Sequence, residues 1–301
     1  MTIRLGLVDC DTSHVVAFTQ RLNHLEVSSD HWVDGAQVVA ACPGVSIAAP
    51  ERIPGFVEQL RAYDVPLVDQ PTDLIGQVDA VLLTSLDGSV HLERALPFLQ
   101  AGMPLFVDKP FACSVSDAQQ LLAAAAEHRV LMWSASSLRY VPELADIRAR
   151  SEEVGKVVGA ATFGPGSQHP RNPGLFHYGV HGVELLYELL GTGCDAVRMV
   201  SNEGTDVAIG QWSDGRIGTV RGVRSGTYAF GMTAFGQRQT VATTVATDTN
   251  YRELLKLIVA AFQSGQSPLS PAEMLEPVAF QEAALHSAQR GGDEVRLATA
   301  G

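Results

Sequence analysis

Runs rich in apolar residues alternate with helical patterns along the first half of the chain. The runs lack polar alternation, and they cover residues 3–9, 36–42, 65–69, 79–84, 104–108 and 130–134. Between several of them, apolar residues recur at helical spacing, over residues 13–25, 90–100 and 115–128. Strands without alternation are typical of a parallel sheet that is covered on both faces. The pattern predicts an α/β fold over residues 1–135, a doubly wound parallel sheet that binds ligands at the carboxyl ends of its strands.

The second half of the chain has short runs with turns between them. Runs follow one another without intervening helices over residues 197–200, 206–209, 217–220 and 240–245. Gly, Asn and Asp-Gly turns separate them, which is typical of antiparallel strands. Helical patterns cover residues 176–190, 251–263 and 271–289. We therefore predict a second, α+β domain over residues 136–301 with a mostly antiparallel sheet.

Composition narrows the class of protein. Of the 301 residues, 46% are hydrophobic and 18% are charged, which supplies one or two buried cores and excludes a disordered chain. The formal net charge of −12 gives no electrostatic reason to expect a nucleic acid or an anionic membrane as partner, so a small molecule is the expected ligand. The four cysteines lack CxxC spacing and are expected to be reduced. No signal peptide or spanning apolar run is recognised, so the expected location is the cytoplasm.

An Asp-Lys-Pro motif closes the predicted strand at 104–108. Lys109 is one of only three lysines, and it stands where the carboxyl end of a parallel strand opens toward ligands. Burial can bring the pKa of a lysine toward neutrality, which makes its amine usable for proton transfer. The alternative interpretation is a salt bridge with Asp108 at the surface. Composition alone leaves both interpretations open.

Two histidines and two glutamates mark the predicted helix at 176–190. On a continuous helix, His177, His181, Glu184 and Glu188 fall at i, i+4, i+7 and i+11 and share one polar face. This stripe is a candidate site. It is equally compatible with the solvated side of an amphipathic helix, and the two histidines have the spacing of a divalent-metal chelate. Nothing else in the sequence completes a metal-ligand pattern.

Several features together resemble the Gfo/Idh/MocA oxidoreductases over nearly the whole chain. They are Asp108-Lys109-Pro110, His91 seven residues after Thr84, the segment 137–140, and Gly179-x-His181. The resemblance implies a Rossmann domain, a second domain with an open-faced sheet, and homodimers or homotetramers assembled through that sheet. It implies NAD or NADP as cofactor and a polyol, sugar or related hydroxyl or carbonyl substrate. Lys109 and His181 take the roles of proton-transfer groups, and His177 stands where the family has an aspartate.

The turn after the first predicted strand departs from that family. Asp9, Asp11 and His14 replace the three glycines of a Gly-x-Gly-x-x-Gly turn. Those glycines allow a tight turn, close approach of N–H groups to pyrophosphate and close helix packing. A carboxylate about 4 Å from a phosphate charge costs on the order of 4 kcal/mol at an effective dielectric constant of 20. The second strand also ends at residues 41–44 without an acid for the ribose or an arginine for a 2′-phosphate, so neither NAD nor NADP is favoured.

Two functions remain open on the sequence. The first is an NAD(P)-dependent oxidoreductase, and the second is a family member that has lost the dinucleotide. The second would perform cofactor-free or metal-assisted proton transfer, as a lyase or isomerase, or only bind a ligand. The residues expected at the cofactor of the first are Asp9, Cys10, Thr12, Ser13, Ser85, His91 and Asp108. An ordinary helix cap at residues 11–13 is the competing interpretation of this turn.

Overall fold

The first half of the chain forms a five-stranded parallel sheet. The computed structural model describes residues 2–298. The strands are β1 (Ile3–Val8), β2 (Ala36–Cys42), β3 (Ala80–Leu83), β4 (Leu105–Val107) and β5 (Met132–Ser134), and the helices are α1 (His14–Leu22), α2 (Ile53–Ala62), α3 (His91–Gln100) and α4 (Val115–His128). The strand order is β2-β1-β3-β4-β5. The order changes direction at β1, so the switch point, where such sheets bind ligands, lies between the carboxyl ends of β1 and β3.

Consecutive residues of the central strands are buried, as the uninterrupted apolar runs predict. All four residues of β3 and all three of β4 are at most 1% exposed. The run at 65–69 is the exception, because it makes only an isolated bridge between Leu67 and Ala41 and forms no strand. Pro66 has no N–H to donate, so a ladder cannot extend through it. The prediction of a strand there was wrong.

The second half of the chain contains a seven-stranded sheet. Its strands are β6 (Val157–Pro165), β7 (Cys194–Ser201), β8 (Thr205–Trp212), β9 (Ile217–Val223), β10 (Phe230–Gly236), β11 (Thr240–Val245) and β12 (Val295–Arg296), and its helices are α5 (Pro142–Ala149), α6 (Ser151–Val154), α7 (Gly179–Leu190) and α9 (Pro271–Gln289). The order is β11-β10-β6-β9-β8-β7-β12, and every neighbouring pair is antiparallel except β6 and β9. The predicted fold class, an α/β unit followed by a mostly antiparallel one, is confirmed.

The two faces of the second sheet differ in their covering. One face packs against α7 and α9, where Leu186, Trp212 and Phe280 form part of the buried core. The opposite face carries hydrophobic side chains that are at least one third exposed: Phe163, Val200, Ile209, Ile217 and Phe235. Alternation along the strands and the register of β6 to β9 place these five side chains on one surface. This surface is called the open sheet face below.

The chain divides into two units. The first consists of the described residues up to Ala112, Ser116–Ala135 and Tyr251–Ser270, and the second of Cys113–Val115, Ser136–Asn250 and the described residues from Pro271 onward. The sequence predicts a boundary after residue 135, and Ala135 and Ser136 fall in the first and the second unit. The sequence also assigns the last helix but one to the second domain, whereas α8 (Asn250–Ser264) groups almost entirely with the first unit. Arg252 donates a hydrogen bond to the carbonyl of Asp30 at 2.7 Å, which is one of its ties to that unit.

Over residues 2–298, no helix combines the length and the apolar character that crossing a bilayer requires.

Candidate active site

The turn after β1 buries the first of the two unexpected carboxylates. Asp9 has a φ of 63°, a left-handed conformation that a glycine would adopt more readily. One of its carboxylate oxygens accepts hydrogen bonds from the Ser85 hydroxyl at 2.5 Å and from Nε of Arg94 at 3.3 Å. The other oxygen is buried and has no hydrogen-bond partner within residues 2–298. Burial raises the pKa of Asp9, and the contacts with Ser85 and Arg94 offset that only in part.

The second carboxylate, that of Asp11, ties the turn to two neighbouring loops. Its oxygens accept from the Leu86 N–H at 2.9 Å and from the Ser46 hydroxyl at 2.6 Å. The residue is 2% exposed. A cavity of about 150 Å³ lies beside the two carboxylates and is also lined by Ser46 and Arg94. Both acids are therefore directed into the protein and bonded there.

Most residues expected at a cofactor are engaged in internal hydrogen bonds. The Cys10 thiol faces the carbonyl of Cys42, and its Sγ lies 3.6 Å from that oxygen. His91 contacts the carbonyl oxygens of Phe111 at 3.2 Å and of Ser85 at 3.0 Å through its two ring nitrogens. These groups are almost completely buried, so they brace the strand ends.

The start of α1 is the accessible part of the turn. Ser13 is exposed and precedes the first helical residue, and its side chain makes no cap hydrogen bond. Thr12 is buried, and its hydroxyl oxygen lies 3.5 Å from the N–H of His14. The cap expected from residues 11–13 is thus limited to one long contact. Unpaired N–H groups at a helix start carry a partial positive charge that favours anions.

The end of β4 brings Lys109 into a cluster that the sequence did not predict. Oδ2 of Asp108 lies 2.6 Å from Nδ1 of His14 and 4.0 Å from Nζ of Lys109. Nε2 of His14 in turn lies 3.0 Å from the hydroxyl of Tyr251, the second residue of α8. Burial raises the pKa of Asp108, but His14 and Lys109 outweigh that effect and lower it to about 2. Lys109 is 8% exposed, so its pairing with Asp108 is not the surface salt bridge of the alternative interpretation.

His181 in the second unit is held by a serine. Its Nδ1 lies 2.6 Å from the hydroxyl of Ser136, and that hydroxyl also accepts a hydrogen bond from the Leu138 N–H at 3.1 Å. The rings of Tyr178 and Phe230 approach the imidazole edge-on, with centroids 5.9 and 5.6 Å away. The neighbours fix the plane of the ring.

The polar stripe expected on α7 does not exist as a single face. The helix begins at Gly179, so His177 precedes it and packs against the ring of His169 at 5.5 Å. Glu184 is buried and accepts from Nε of Arg139 at 2.5 Å, and Glu188 accepts from another nitrogen of the same guanidinium at 2.5 Å. Gly179 and Gly182 weaken a longer helix. Within the described residues, no group of three or more His, Cys, Asp or Glu side chains is arranged to hold a metal ion.

Arg139 is a buried residue whose role the sequence did not reveal. Burial lowers its pKa, but Glu184 and Glu188 outweigh that effect and raise it above the ordinary value. Burial raises the pKa of Glu184, and Arg139 opposes the shift. The guanidinium also donates to the carbonyl of Glu273 at 3.1 Å, so it ties three segments of the second unit together. These partners lie 45 or more residues from Arg139, and no local pattern could have indicated them.

Comparison with known proteins agrees with the resemblance seen in the sequence. The profile of the "Oxidoreductase family, NAD-binding Rossmann fold" matches residues 22–136. A Salmonella typhimurium protein named "Putative oxidoreductase YceM" is 30% identical over 90 residues, which span 30% of this chain and 29% of that relative.

Solved structures show the same fold over both units. GenD2 from gentamicin A biosynthesis, in complex with NAD, matches with a TM-score of 0.81 at 17% identity. The match covers 99% of this chain and 97% of the GenD2 chain. Scyllo-inositol dehydrogenase from Lactobacillus casei, with bound NAD(H) and scyllo-inositol, matches with a TM-score of 0.78 at 14% identity. The match covers 99% of this chain and 100% of the dehydrogenase chain. At these identities the likeness establishes the fold alone. The profile match over residues 22–136 and the shared fold of both units agree with the resemblance to the Gfo/Idh/MocA oxidoreductases seen in the sequence.

Proposed function

We propose that the protein is an NAD(P)-dependent oxidoreductase that acts on a polyol, a sugar or a related hydroxyl or carbonyl compound. The observation that carries the proposal is Lys109, an ammonium group at the carboxyl end of β4 whose neighbour Asp108 stays ionised at neutral pH. The match of residues 22–136 to an oxidoreductase family profile supports the same reaction class. The bound NAD(H) and scyllo-inositol of the Lactobacillus casei enzyme indicate the class of cofactor and substrate to test first.

The residues at the start of α1 fit a phosphate group of such a cofactor. Thr12 and Ser13 would hold it, together with backbone N–H groups of the first helical turn. Asp9 and Asp11 are bonded to groups of the neighbouring loops, so their charges are partly compensated before any cofactor arrives. When bound, the nicotinamide supplies the hydride acceptor or donor. The remaining negative charge still opposes a dinucleotide, so we expect weaker binding than a glycine turn provides.

Lys109 and His181 supply the proton transfer in this proposal. Lys109 moves a proton to or from the substrate oxygen through Nζ. The Ser136 oxygen accepts from Leu138, so its own hydrogen is available to Nδ1 of His181. We propose that the hydroxyl donates to Nδ1, so that the neutral imidazole carries its proton on Nε2 and donates it to a substrate oxygen. His177 orients the substrate in place of the family's aspartate.

The open sheet face supports a homo-oligomer. A group of exposed hydrophobic side chains on one protein surface is typical of an interaction site. Phe163 and Ile209 are 36% and 40% exposed on that face. We infer that a second copy of the chain covers it, in a homodimer or homotetramer. Sedimentation analysis of the purified protein tests this, and a monomer at micromolar concentration would contradict it.

A second candidate function follows from the turn after β1. Asp9 and Asp11 fill the place of the glycines, and no dinucleotide is needed to satisfy the donors around them. A family member of this kind would use Lys109 and His181 for proton transfer alone, in an elimination or isomerisation, or would only bind its ligand.

Calorimetric titration with NADH and NADPH at modest salt separates the two candidates. Micromolar binding of either supports the oxidoreductase, and a screen of polyols and sugars then identifies the substrate. Absence of binding at millimolar concentration contradicts it and supports the second candidate. NAD(P)-dependent oxidation that persists undiminished in Lys109→Met would remove Lys109 from the proposal.

A further inference from the structure

His14 occupies the position of the third glycine of the family's turn, yet it is the first residue of α1 and is buried beside the end of β4. We propose that His14 is a positioning residue for Lys109, acting through Asp108. The proposal rests on the proposed function of Lys109. It adds His14 and Tyr251 to the groups that determine the reactivity of the Lys109 amine.

A single carboxylate oxygen carries both contacts. Oδ2 of Asp108 is 2.6 Å from His14 Nδ1 and 4.0 Å from Lys109 Nζ. Oδ1 of Asp108 is buried and has no hydrogen-bond partner within the described residues. The histidine and the ammonium therefore face the same oxygen, and the histidine holds the shorter contact.

The distance from Asp108 to Lys109 is longer than that of a direct hydrogen bond. Charge-assisted hydrogen bonds between an ammonium and a carboxylate are normally about 2.7–2.9 Å long. Lys109 stands at 4.0 Å, so it is attracted by Asp108 without donating to it directly. Its ammonium hydrogens stay available for a substrate oxygen, whereas a closed ion pair with Asp108 would withdraw one of them.

The orientation of the His14 ring is fixed from the opposite side. The Tyr251 hydroxyl lies 3.0 Å from Nε2, and the Phe18 ring stacks on the imidazole with centroids 5.1 Å apart. The titratable and charged groups around His14 are Asp108 and Lys109 at the end of β4 and Tyr251 on α8, with the Arg21 guanidinium 5.4 Å above the Tyr251 ring. A phenylalanine would provide the same stacking but would leave Oδ2 to the ammonium.

The test measures the reactivity of Lys109 in the full chain without substrate. Wild type and His14→Phe are treated with an amine-acylating reagent over the neutral and alkaline pH range, and peptide mass spectrometry reads each lysine separately. In His14→Phe we expect the midpoint of Lys109 modification to rise by about one pH unit, equivalent to about tenfold slower modification at a fixed pH. The other two lysines, Lys156 and Lys256, have side chains 66% and 51% exposed and serve as internal standards.

A matched variant separates the hydrogen bond from packing. In His14→Asn, an amide N–H replaces Nδ1–H as donor to Asp108 while the ring is lost. We expect its Lys109 profile to stay close to that of wild type, and Asp108→Asn to lower the midpoint because the attracting charge is gone. An unchanged midpoint in folded His14→Phe, or equal shifts in both His14 variants, would overturn the proposal.

A reciprocal measurement covers the case in which His14→Phe does not fold. Coupling between two sites acts equally in both directions, so Lys109→Met should shift the NMR titration of His14 to higher pH. An unshifted His14 titration would overturn the proposal. Neither experiment measures turnover. The effect of His14 on Lys109 can therefore be confirmed in a protein without oxidoreductase activity, so failure of this proposal is distinguishable from failure of the proposed function.

Discussion

Two buried charge clusters, one in each unit, differ in how completely their hydrogen bonds are satisfied. In the second unit, Arg139 donates to Glu184, to Glu188 and to a backbone carbonyl, all within 3.1 Å. In the first unit, Asp108 has one oxygen without a partner among residues 2–298, and its other oxygen lies 4.0 Å from the ammonium of Lys109. Both clusters are almost fully buried, so solvent does not account for the difference.

The comparison separates a structural role from a chemical one. A saturated network in a low-dielectric interior fixes the groups that form it, and removing one member leaves another charge unpaired. A buried carboxylate with an oxygen that makes no hydrogen bond, next to an ammonium group, is costly for folding. Such groups are typical of sites that transfer protons. We therefore expect substitutions in the first cluster to change chemistry more than stability, and substitutions in the second to do the reverse.

The largest expected effect is on stability, in the saturated cluster. Arg139→Met leaves Glu184 and Glu188 without their common donor, and breaking a buried ion pair from one side costs about 3–5 kcal/mol. Urea unfolding followed by circular dichroism measures the loss. As a control, combining Arg139→Met with Glu184→Gln should recover part of the stability, because one unpaired charge is removed. A loss below about 1 kcal/mol would mean that the network is not structural.

The next effect is on turnover, in the unsaturated cluster. Lys109→Met removes the proton-transfer group while keeping most of the side-chain volume, and loss of a general acid or base typically lowers the rate by about 10²–10⁴-fold. Unfolding stability should fall by less than in Arg139→Met, because His14 still contacts Asp108 at 2.6 Å. Turnover of a substrate found by the polyol and sugar screen checks the first expectation. If stability fell sharply and turnover did not, the contrast between the clusters would be reversed.

This contrast also shows what sequence reasoning could reach. The strands around Asp108-Lys109-Pro110 were predictable, because continuous apolar runs and a strand-end motif are local signals. α4 was predicted with the bounds it has, at residues 115–128. The charge partners were not predictable, since Arg139 and Glu184 lie 45 residues apart and His14 and Asp108 lie 94 apart. Only the fold brings such pairs together.

Two strands of the second sheet escaped prediction for a different reason. β6 and β10 contain glycines and small residues at positions where neighbouring side chains approach closely. A Cβ on Gly231 would lie 2.2 Å from the Phe163 ring, and one on Gly164 would lie 2.3 Å from the Phe230 ring. These glycines make room for aromatic side chains on the adjacent strand. In a sequence they weaken the strand signal, because glycine has low strand propensity.

Acid stability gives a smaller effect that again compares the clusters. Asp108 has a pKa of about 2 in the folded protein against an ordinary value of 3.8. A depressed pKa contributes stability that is present above pH 4 and is lost as the pH falls toward 2, on the order of 2 kcal/mol in all. We expect the stability difference between wild type and Asp108→Asn to shrink over that range. A difference that stays constant from pH 5 to pH 2 would show that Asp108 is not held ionised by His14 and Lys109.

The smallest effect concerns Asp11, a carboxylate in the first unit whose two oxygens both accept hydrogen bonds. Asp11 accepts from the Leu86 N–H and the Ser46 hydroxyl, so we expect it to act mainly in stability. Its charge nevertheless lies in the turn after β1, where dinucleotide-binding folds of this type hold the pyrophosphate. In Asp11→Asn, the amide oxygen still accepts from Leu86 and the amide nitrogen can donate to Ser46, so the charge alone is removed. Because one opposing charge disappears, we expect NADH affinity to rise by about three- to tenfold at low salt and by less at high salt.

Ser46→Ala is the matched control for this effect. It deletes the hydrogen bond and keeps the carboxylate, so NADH affinity should not rise. Calorimetric titration at two salt concentrations compares wild type with both variants. If Asp11→Asn and wild type bind NADH equally well at both salt concentrations, the internal donors already compensate the Asp11 charge, and the departure from the glycine turn has no electrostatic cost. If Asp11→Asn alone gains affinity, a carboxylate with all its hydrogen bonds made still acts on a ligand through its charge, and hydrogen-bond satisfaction alone does not separate structural from functional charges in this protein.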